Sequence, residues 1–209
     1  MGLWHVFYAD WQMECCGTPF SVGDEVSWPL LFSDADDVLG GGWRDQLTKI
    51  AGPVDEVRGD EGSGRVLREE SGLVVGLPEG VGPGDRIRRV GLLTVETHGG
   101  RLPEVRGRVR CLQVVTQAYG ENGPGTWEPV PGRRWLRSVD ECPKWFGGGR
   151  ERSDAGVVAT LEVPDTDSWL SYAVREACGI SHEGAAQGAE TEGLPDGALA
   201  ALLATLSRS

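Results

Sequence analysis

The chain has 209 residues, 39% hydrophobic and 25% charged, enough for a sizeable core without disulfide staples. Its formal net charge of −12 is uneven, with −9 on residues 1–64, +4 on residues 65–153 and −7 on residues 154–209. As a whole it should repel nucleic acid and anionic membrane, and only the middle third offers a surface for anions. The opening M-G-L-W-H-V-F-Y lacks a basic n-region, and no stretch approaches the ~18 apolar residues of a membrane span, so neither a secretory signal nor membrane attachment is expected. Five cysteines at irregular spacings point to reduced thiols in a cytoplasmic protein.

The 32 glycines and 12 prolines fall between short apolar runs, the pattern of strands joined by turns. Leu3–Ala9 reads as a first strand buried on both faces. Cys16-Gly17-Thr18-Pro19 turns the chain, Gly23-Asp24 makes a tight turn, and Glu25–Phe32 follows as a strand with Val26 and Trp28 on one face. Ser33–Asp37 is an acidic loop. Trp43, Leu47 and Ile50 fall at i, i+4 and i+7, which predicts a helix over Trp43–Ile50 ended by Gly52-Pro53. Gly59–Gly64 reads as a flexible polar loop.

The middle third is the clearest β region. Arg65–Glu69, Leu73–Gly76, Arg86–His98 and Val105–Tyr119 read as strands, the last two as an antiparallel hairpin across Gly99-Gly100. In Val105–Cys111 the alternation puts Val105, Val109 and Cys111 on one face and Arg106, Arg108 and Arg110 on the other. It slips at Cys111-Leu112, where a β-bulge would restore the apolar face. Gly120–Thr126 is a mobile loop, and Trp127–Val139 a short strand pair around Pro131-Gly132. Trp4, Trp28 and Trp135 sit in strand-like runs as core candidates. Val157–Val163 is a further strand, and Trp169–Ala177 a helix capped by Asp167 or Ser168. Gly179–Gly193 is small and polar. Leu194–Leu206 reads as a short helix whose leucines, Leu202 among them, form a stripe that must be buried somewhere. Gly23-Asp24-Glu25-Val26 and Gly84-Asp85-Arg86-Ile87 share G-D-x-[VI], each opening a strand, a weak internal echo.

Asp10–Trp28 concentrates the most unusual chemistry, with two tryptophans and the vicinal pair Cys15-Cys16. The simplest reading buries one thiol as a small hydrophobe and lets the other cap the turn. A metal site would need ligands from afar, such as Cys142, Cys111 or His98, since no C-x-x-C pair exists, and no metal is assigned. A cysteine nucleophile would need a base, and His98 is the best placed of three histidines. The acidic group Asp34, Asp36, Asp37 and Asp45 fails as an EF-hand, because Leu39 occupies the glycine position. No phosphate loop, nucleophile elbow, zincin motif or dinucleotide fingerprint is present, so no cofactor is expected. The arginine face could track a phosphate backbone, but interleaved aromatics are missing, which disfavours nucleic acid as a partner.

Trp11–Trp28 (W-Q-M-E-C-C-G-T-P-F-S-V-G-D-E-V-S-W), Gly107–Val115 (G-R-V-R-C-L-Q-V-V) and Val130–Phe146 (V-P-G-R-R-W-L-R-S-V-D-E-C-P-K-W-F) together resemble an actinobacterial family known as a domain of unknown function. The resemblance covers roughly residues 4–163. It implies a bacterial cytoplasmic setting and carries over no catalytic residue.

The expected fold is mainly β, one or two small SH3-like or OB-like barrels with a few short helices over residues 1–177. Any division falls near residues 60–80, and a flexible tail with a short helix occupies 178–209. The expected function is a non-enzymatic binding or interaction module for a protein or small ligand, on a groove of Trp11, Cys15, Cys16, Trp43, Cys142, Lys144 and Trp145. A thiol-dependent enzyme or metal/redox protein using Cys15 and Cys16 is the alternative, and an anion- or nucleic-acid-binding face of Arg106, Arg108 and Arg110 a further one.

Overall fold

The computed structural model describes residues 1–59, 62–78, 80, 82, 84–98, 102–178, 201 and 202. Among the described residues, nine strands and two short α-helices run in chain order as β1 (Gly2–Ala9), α1 (Asp10–Cys16), β2 (Glu25–Ser33), β3 (Thr48–Gly59), β4 (Gly62–Arg68), β5 (Val74–Leu77), β6 (Arg86–Val95), β7 (Glu104–Glu121), β8 (Trp127–Val139), β9 (Arg152–Val163) and α2 (Trp169–Ala177). The strands pair in the order β2-β5-β4-β3-β6-β1-β9-β7, and β7 returns to β2, which closes an eight-stranded barrel. β8 hangs on the outside as the hairpin partner of β7. A mainly β barrel with short helices is therefore the fold, as its glycine-punctuated apolar runs lead one to expect. No helix among the described residues is long and apolar enough to cross a membrane.

The G-D echo is architectural. Gly23 N–H donates to the Val109 carbonyl (2.8 Å) and Val109 N–H to the Asp24 carbonyl (2.9 Å). Gly84 N–H donates to the Val54 carbonyl and Val54 N–H to the Asp85 carbonyl, both at 2.8 Å. Both glycines have positive φ, 96° and 85°, so each turn demands a residue without a Cβ penalty. From these turns the strands match in pairs. β2 runs antiparallel to β7 as β6 does to β3, and β2 lies parallel to β5 as β6 does to β1. β4 joins β3 to β5 as β9 joins β7 to β1, antiparallel throughout. The ring thus has an approximate two-fold relation, with its axis through the antiparallel contact of Leu30–Ser33 with Leu92–Val95.

The main core fills the ring, with Trp4, Val6, Leu30, Leu93, Val109, Leu112 and Leu161 among its buried side chains. The bulge in β7 falls where alternation slipped, since Val109 pairs Leu161 and Cys111 pairs Thr160. One extra residue turns Leu112 inward and sends Cys111 to the opposite face. There it packs with Leu3, Leu170 and Val174, with Cys178 and Leu202 against them, and not with Val105 and Val109 as alternation implied. Ser168 caps α2, its side chain accepting from Ser171 N–H. Leu202 of the leucine stripe thus lies on the domain, while Gly179–Gly193 and the other stripe leucines fall outside the described residues.

The fold departs from several local expectations. Trp43–Ile50 is not a helix, because burial over residues 46–50 has period two. Gln46, Thr48 and Ile50 are inside and Lys49 is out, and two buried polar residues hide the alternation from a hydrophobicity count. β3 then runs through Gly52-Pro53, where Gly52 lies against the Arg68 backbone too closely for a Cβ, and pairs with β4 out to Gly59 and Gly62. β6 and β7 form no hairpin, since β2 pairs with both. Trp127–Val139 is one strand, with a bulge opposite Gln117–Tyr119 where buried Gln117 donates to the Ala118 and Val130 carbonyls. Finally, Trp135 lies outside the core, half-exposed under the Arg152 guanidinium.

Gly23→Ala and Gly84→Ala should each destabilise by about 1–2 kcal/mol in urea unfolding, since the cost is left-handed backbone and a Cβ meets no neighbour at either site. His5 is fully buried against Thr160, and desolvation lowers its pKa from 6.5 to about 4. Between those values the unfolded chain binds the extra proton, so stability should fall as pH drops through that window, by about 3 kcal/mol in all. Asp10, raised by burial, acts in the opposite sense from its ordinary 3.8 upward. The His5→Gln variant should show a flatter pH dependence between 6.5 and 4 in the same assay.

Candidate functional site

The helix α1 has only seven residues, too short to stand alone, and buries just Gln12 and Met13. It is held from outside. Residues 140–142 pair with residues 20–22, through Val22 N–H on the Asp140 carbonyl and Cys142 N–H on the Phe20 carbonyl, both at 2.8 Å. That pairing delivers Lys144, whose Nζ donates to the Met13 carbonyl (2.6 Å) and the Gly17 carbonyl (3.0 Å), beside the last turn. A cation there satisfies carbonyls that a helix C-terminus leaves open. Phe146 N–H donates to the Glu14 carboxylate at 3.0 Å. Gly17 is required by close approach, because a Cβ would meet Met13 and the Tyr8 hydroxyl within 2.9 Å.

Neither vicinal thiol is buried, but the Cys16 thiol does donate to the Gln12 carbonyl at 3.5 Å, as a capping group at the helix end would. Cys15 and Cys16 are both exposed free thiols at the end of α1, with no disulfide between them. The backbone beyond β6 brings His98 to them, its N–H donating to the Glu96 carboxylate at 2.8 Å. His98 Nε2 lies 3.7 Å from Cys15 Sγ and 3.6 Å from Cys16 Sγ. Its Nδ1 lies 2.9 Å from Thr97 Oγ1, and that hydroxyl donates to Gln12 Oε1 at 3.0 Å. Thr97 has one proton, committed to Gln12, so Nδ1 carries the imidazole hydrogen and Nε2 turns its lone pair to the sulfurs. Trp11 packs on the imidazole with ring centroids 5.1 Å apart. The Cys15 thiol is pushed above its ordinary value, first by its hydrogen bond with Cys16 and then by that neighbour's charge.

The other expected groove residues divide. Lys144 and Trp145 adjoin α1, the latter 70% exposed with the Lys144 ammonium 5.6 Å from its ring centroid. Cys142 reaches the same segment but points into the main core, where burial pushes its thiol up to about 12. Trp43 lies elsewhere. It is buried against Phe7, its indole N–H donates to the Val38 carbonyl, and the Arg134 guanidinium covers its face at 3.7 Å. Arg134 itself sits over a recess of about 690 Å³, its pKa lowered to about 10 by desolvation, a feature that nothing in its local sequence announced. A second recess, of about 310 Å³, opens beside the start of α1 between Asp10, Trp11, Leu31 and Thr94.

On β7, Arg106 and Arg108 face outward, but acids interleave with them. Arg108 lies 3.4 Å from Glu25 on β2, Arg110 lies 3.6 Å from Glu162 on β9, and Glu104 accepts from Ser27. The strand register sets these partners, Glu25 from β2 and Glu162 from β9. Thr97 and Gln12, which orient His98, carried no signal in the sequence. Both are common polar residues whose roles exist only where α1 meets the end of β6.

Alkylation of the native, reduced protein should modify Cys15 and Cys16 first, and Cys111 and Cys142 only on unfolding, as read by mass spectrometry of the peptides. The Cys15 rate should keep rising above the pH range of an ordinary thiol.

A family model described as "Family of unknown function (DUF6578)" matches residues 2–163. No curated protein matches the chain, and no solved structure matches it. The matched region takes in all nine strands, α1, His98 and the Cys142–Phe146 segment, and stops before α2. The chain therefore belongs to the family of unknown function DUF6578.

Proposed function

We propose that this protein is a non-enzymatic binding module of a reducing, cytoplasmic compartment, whose ligand surface is α1 with the His98 and Lys144–Phe146 segments around it. The observation that carries the reading is that Trp11 and Trp145 remain 54% and 70% exposed on segments anchored to one short helix. Leaving large aromatic area in water forgoes roughly 25 cal/mol per Å² of burial, and exposed tryptophans of this kind are favoured anchors for a protein or small ligand. The 310 Å³ recess beside Trp11 adds a concave wall to that surface. Five free cysteines suit a compartment where thiols stay reduced.

A thiol-dependent enzyme is the second reading, favoured by His98 Nε2 within 3.7 Å of both sulfurs. Nucleophilic cysteines have lowered pKa values, whereas the Cys15 thiol is raised, so the binding reading stands ahead. Rapid alkylation of Cys15 at neutral pH would reverse that order.

Trp11→Ala and Trp145→Ala should each keep the fold, with unfolding midpoints in urea shifted by no more than about 0.5 kcal/mol equivalent. In a thermal-shift screen of small molecules and peptides, a ligand that stabilises the native protein should lose its effect in the double variant. Unfolding of both single variants would show that these side chains are structural and remove the surface.

A further inference from the structure

Consecutive side chains on a helix point in different directions, so adjacent cysteines do not share a ligand by helix geometry alone. Here the two thiols lie close enough to interact, and His98 from the far side of the sequence brings Nε2 to both sulfurs. A disulfide is a poor alternative, because adjacent Cα atoms stand about 3.8 Å apart and disulfides usually need about 4.4 Å or more. Both sulfurs and Nε2 lie within 4.8 Å of one another. With metal–sulfur bonds of about 2.3 Å and metal–nitrogen bonds of about 2.0–2.1 Å, a tetrahedral site has a sulfur-to-nitrogen edge of about 3.6 Å. The two edges here measure 3.7 and 3.6 Å. The imidazole also has the ligating tautomer, since Thr97 and Gln12 hold the hydrogen on Nδ1. A polar partner on the non-ligating nitrogen is the usual support of a metal-bound histidine.

We propose that Cys15, Cys16 and His98 bind one thiophilic d10 metal ion, with Zn²⁺ as the fitting ion and the fourth position open to water or to a ligand group. The proposal rests on the reading of the α1 surface as the binding site and names the chemistry of what binds there. Two thiolates and one imidazole make a soft donor set that selects against Mg²⁺ and Ca²⁺. Each thiol gives up its proton to solvent as its sulfur joins the ion, so two protons leave per ion bound. The exposure of all three ligands leaves a path for the ion and for a fourth ligand. Lys144, anchored on the helix carbonyls, keeps the last turn of α1 in place beneath the thiols.

The test titrates the reduced, chelator-treated full chain with Co²⁺ as a spectroscopic probe, then competes the probe with Zn²⁺. One equivalent of Co²⁺ should produce thiolate-to-cobalt charge-transfer absorption and tetrahedral ligand-field bands, and one equivalent of Zn²⁺ should abolish them. Cys15→Ser and Cys16→Ser should each lose the charge-transfer band at one equivalent. Thr97→Val should weaken zinc binding by about 10- to 100-fold with the circular dichroism unchanged, as loss of an outer-shell partner does. Should a cysteine variant fail to fold, the ring-nitrogen resonances of His98 in the native chain give the same answer, because Nε2 must shift on addition of one equivalent of Zn²⁺. Absence of the charge-transfer band, its survival in the Cys15→Ser/Cys16→Ser double variant, or an unmoved His98 Nε2 would overturn the proposal. Loss of the aromatic surface in the tryptophan variants with the cobalt bands intact would leave the metal site standing without that surface. A ligand screen that succeeds while cobalt gives no band would remove the metal alone.

Discussion

The antiparallel contact between Leu30–Ser33 of β2 and Leu92–Val95 of β6 is the seam on which the rest of the molecule depends. Each of these strands also lies parallel to a third strand and leads back to a G-D turn locked onto a valine of a fourth. The seam ties β2 to β6 across the ring, in addition to the β3–β6 and β7–β2 pairings that join its two halves. The hydrogen-bond pattern at the two turns is the same because the demand is the same. A strand must turn sharply onto its barrel wall with both partner valine groups satisfied, and a glycine with positive φ allows that most cheaply.

The candidate site is built on this frame without belonging to its repeat. α1 interrupts the passage from β1 to β2, and its own contacts with the core amount to Gln12 and Met13. What keeps it helical is the segment after β8, which supplies an ammonium for the Met13 and Gly17 carbonyls and a backbone N–H for Glu14. The thiols are therefore positioned by residues roughly 130 positions away in sequence. His98 is positioned by a different strand, and its protonation pattern by Thr97 and Gln12. Three elements thus meet at one place, each fixed by hydrogen bonds that none of the others could provide.

Much of the strand content was legible because it is local. Val157, Ala159, Leu161 and Val163 alternate in the chain and are buried in the fold. The slip at Cys111-Leu112 is a bulge because a period-two pattern cannot skip a step without one. Trp43–Ile50 misled for the converse reason. Its inward residues include Gln46 and Thr48, so the apolar ones that remain happen to fit a helical spacing. The seven residues of α1 left no periodic trace at all, since two turns with one buried pair carry no amphipathic stripe.

What the sequence determined by itself is the mainly β class, the turns at Gly23-Asp24 and Gly84-Asp85 and a cap for α2 at Asp167 or Ser168, with Asp10–Trp28 marked as chemically unusual. Each of these rests on interactions between near neighbours, where residue type alone sets the preference. Only the tertiary structure decided that β7 closes on β2 and that Trp43 and Cys142 turn inward. It alone brought His98 to both thiols across 82 and 83 positions of sequence. Those outcomes depend on which strands become neighbours, a matter settled by burial over the whole barrel and by no window of the chain.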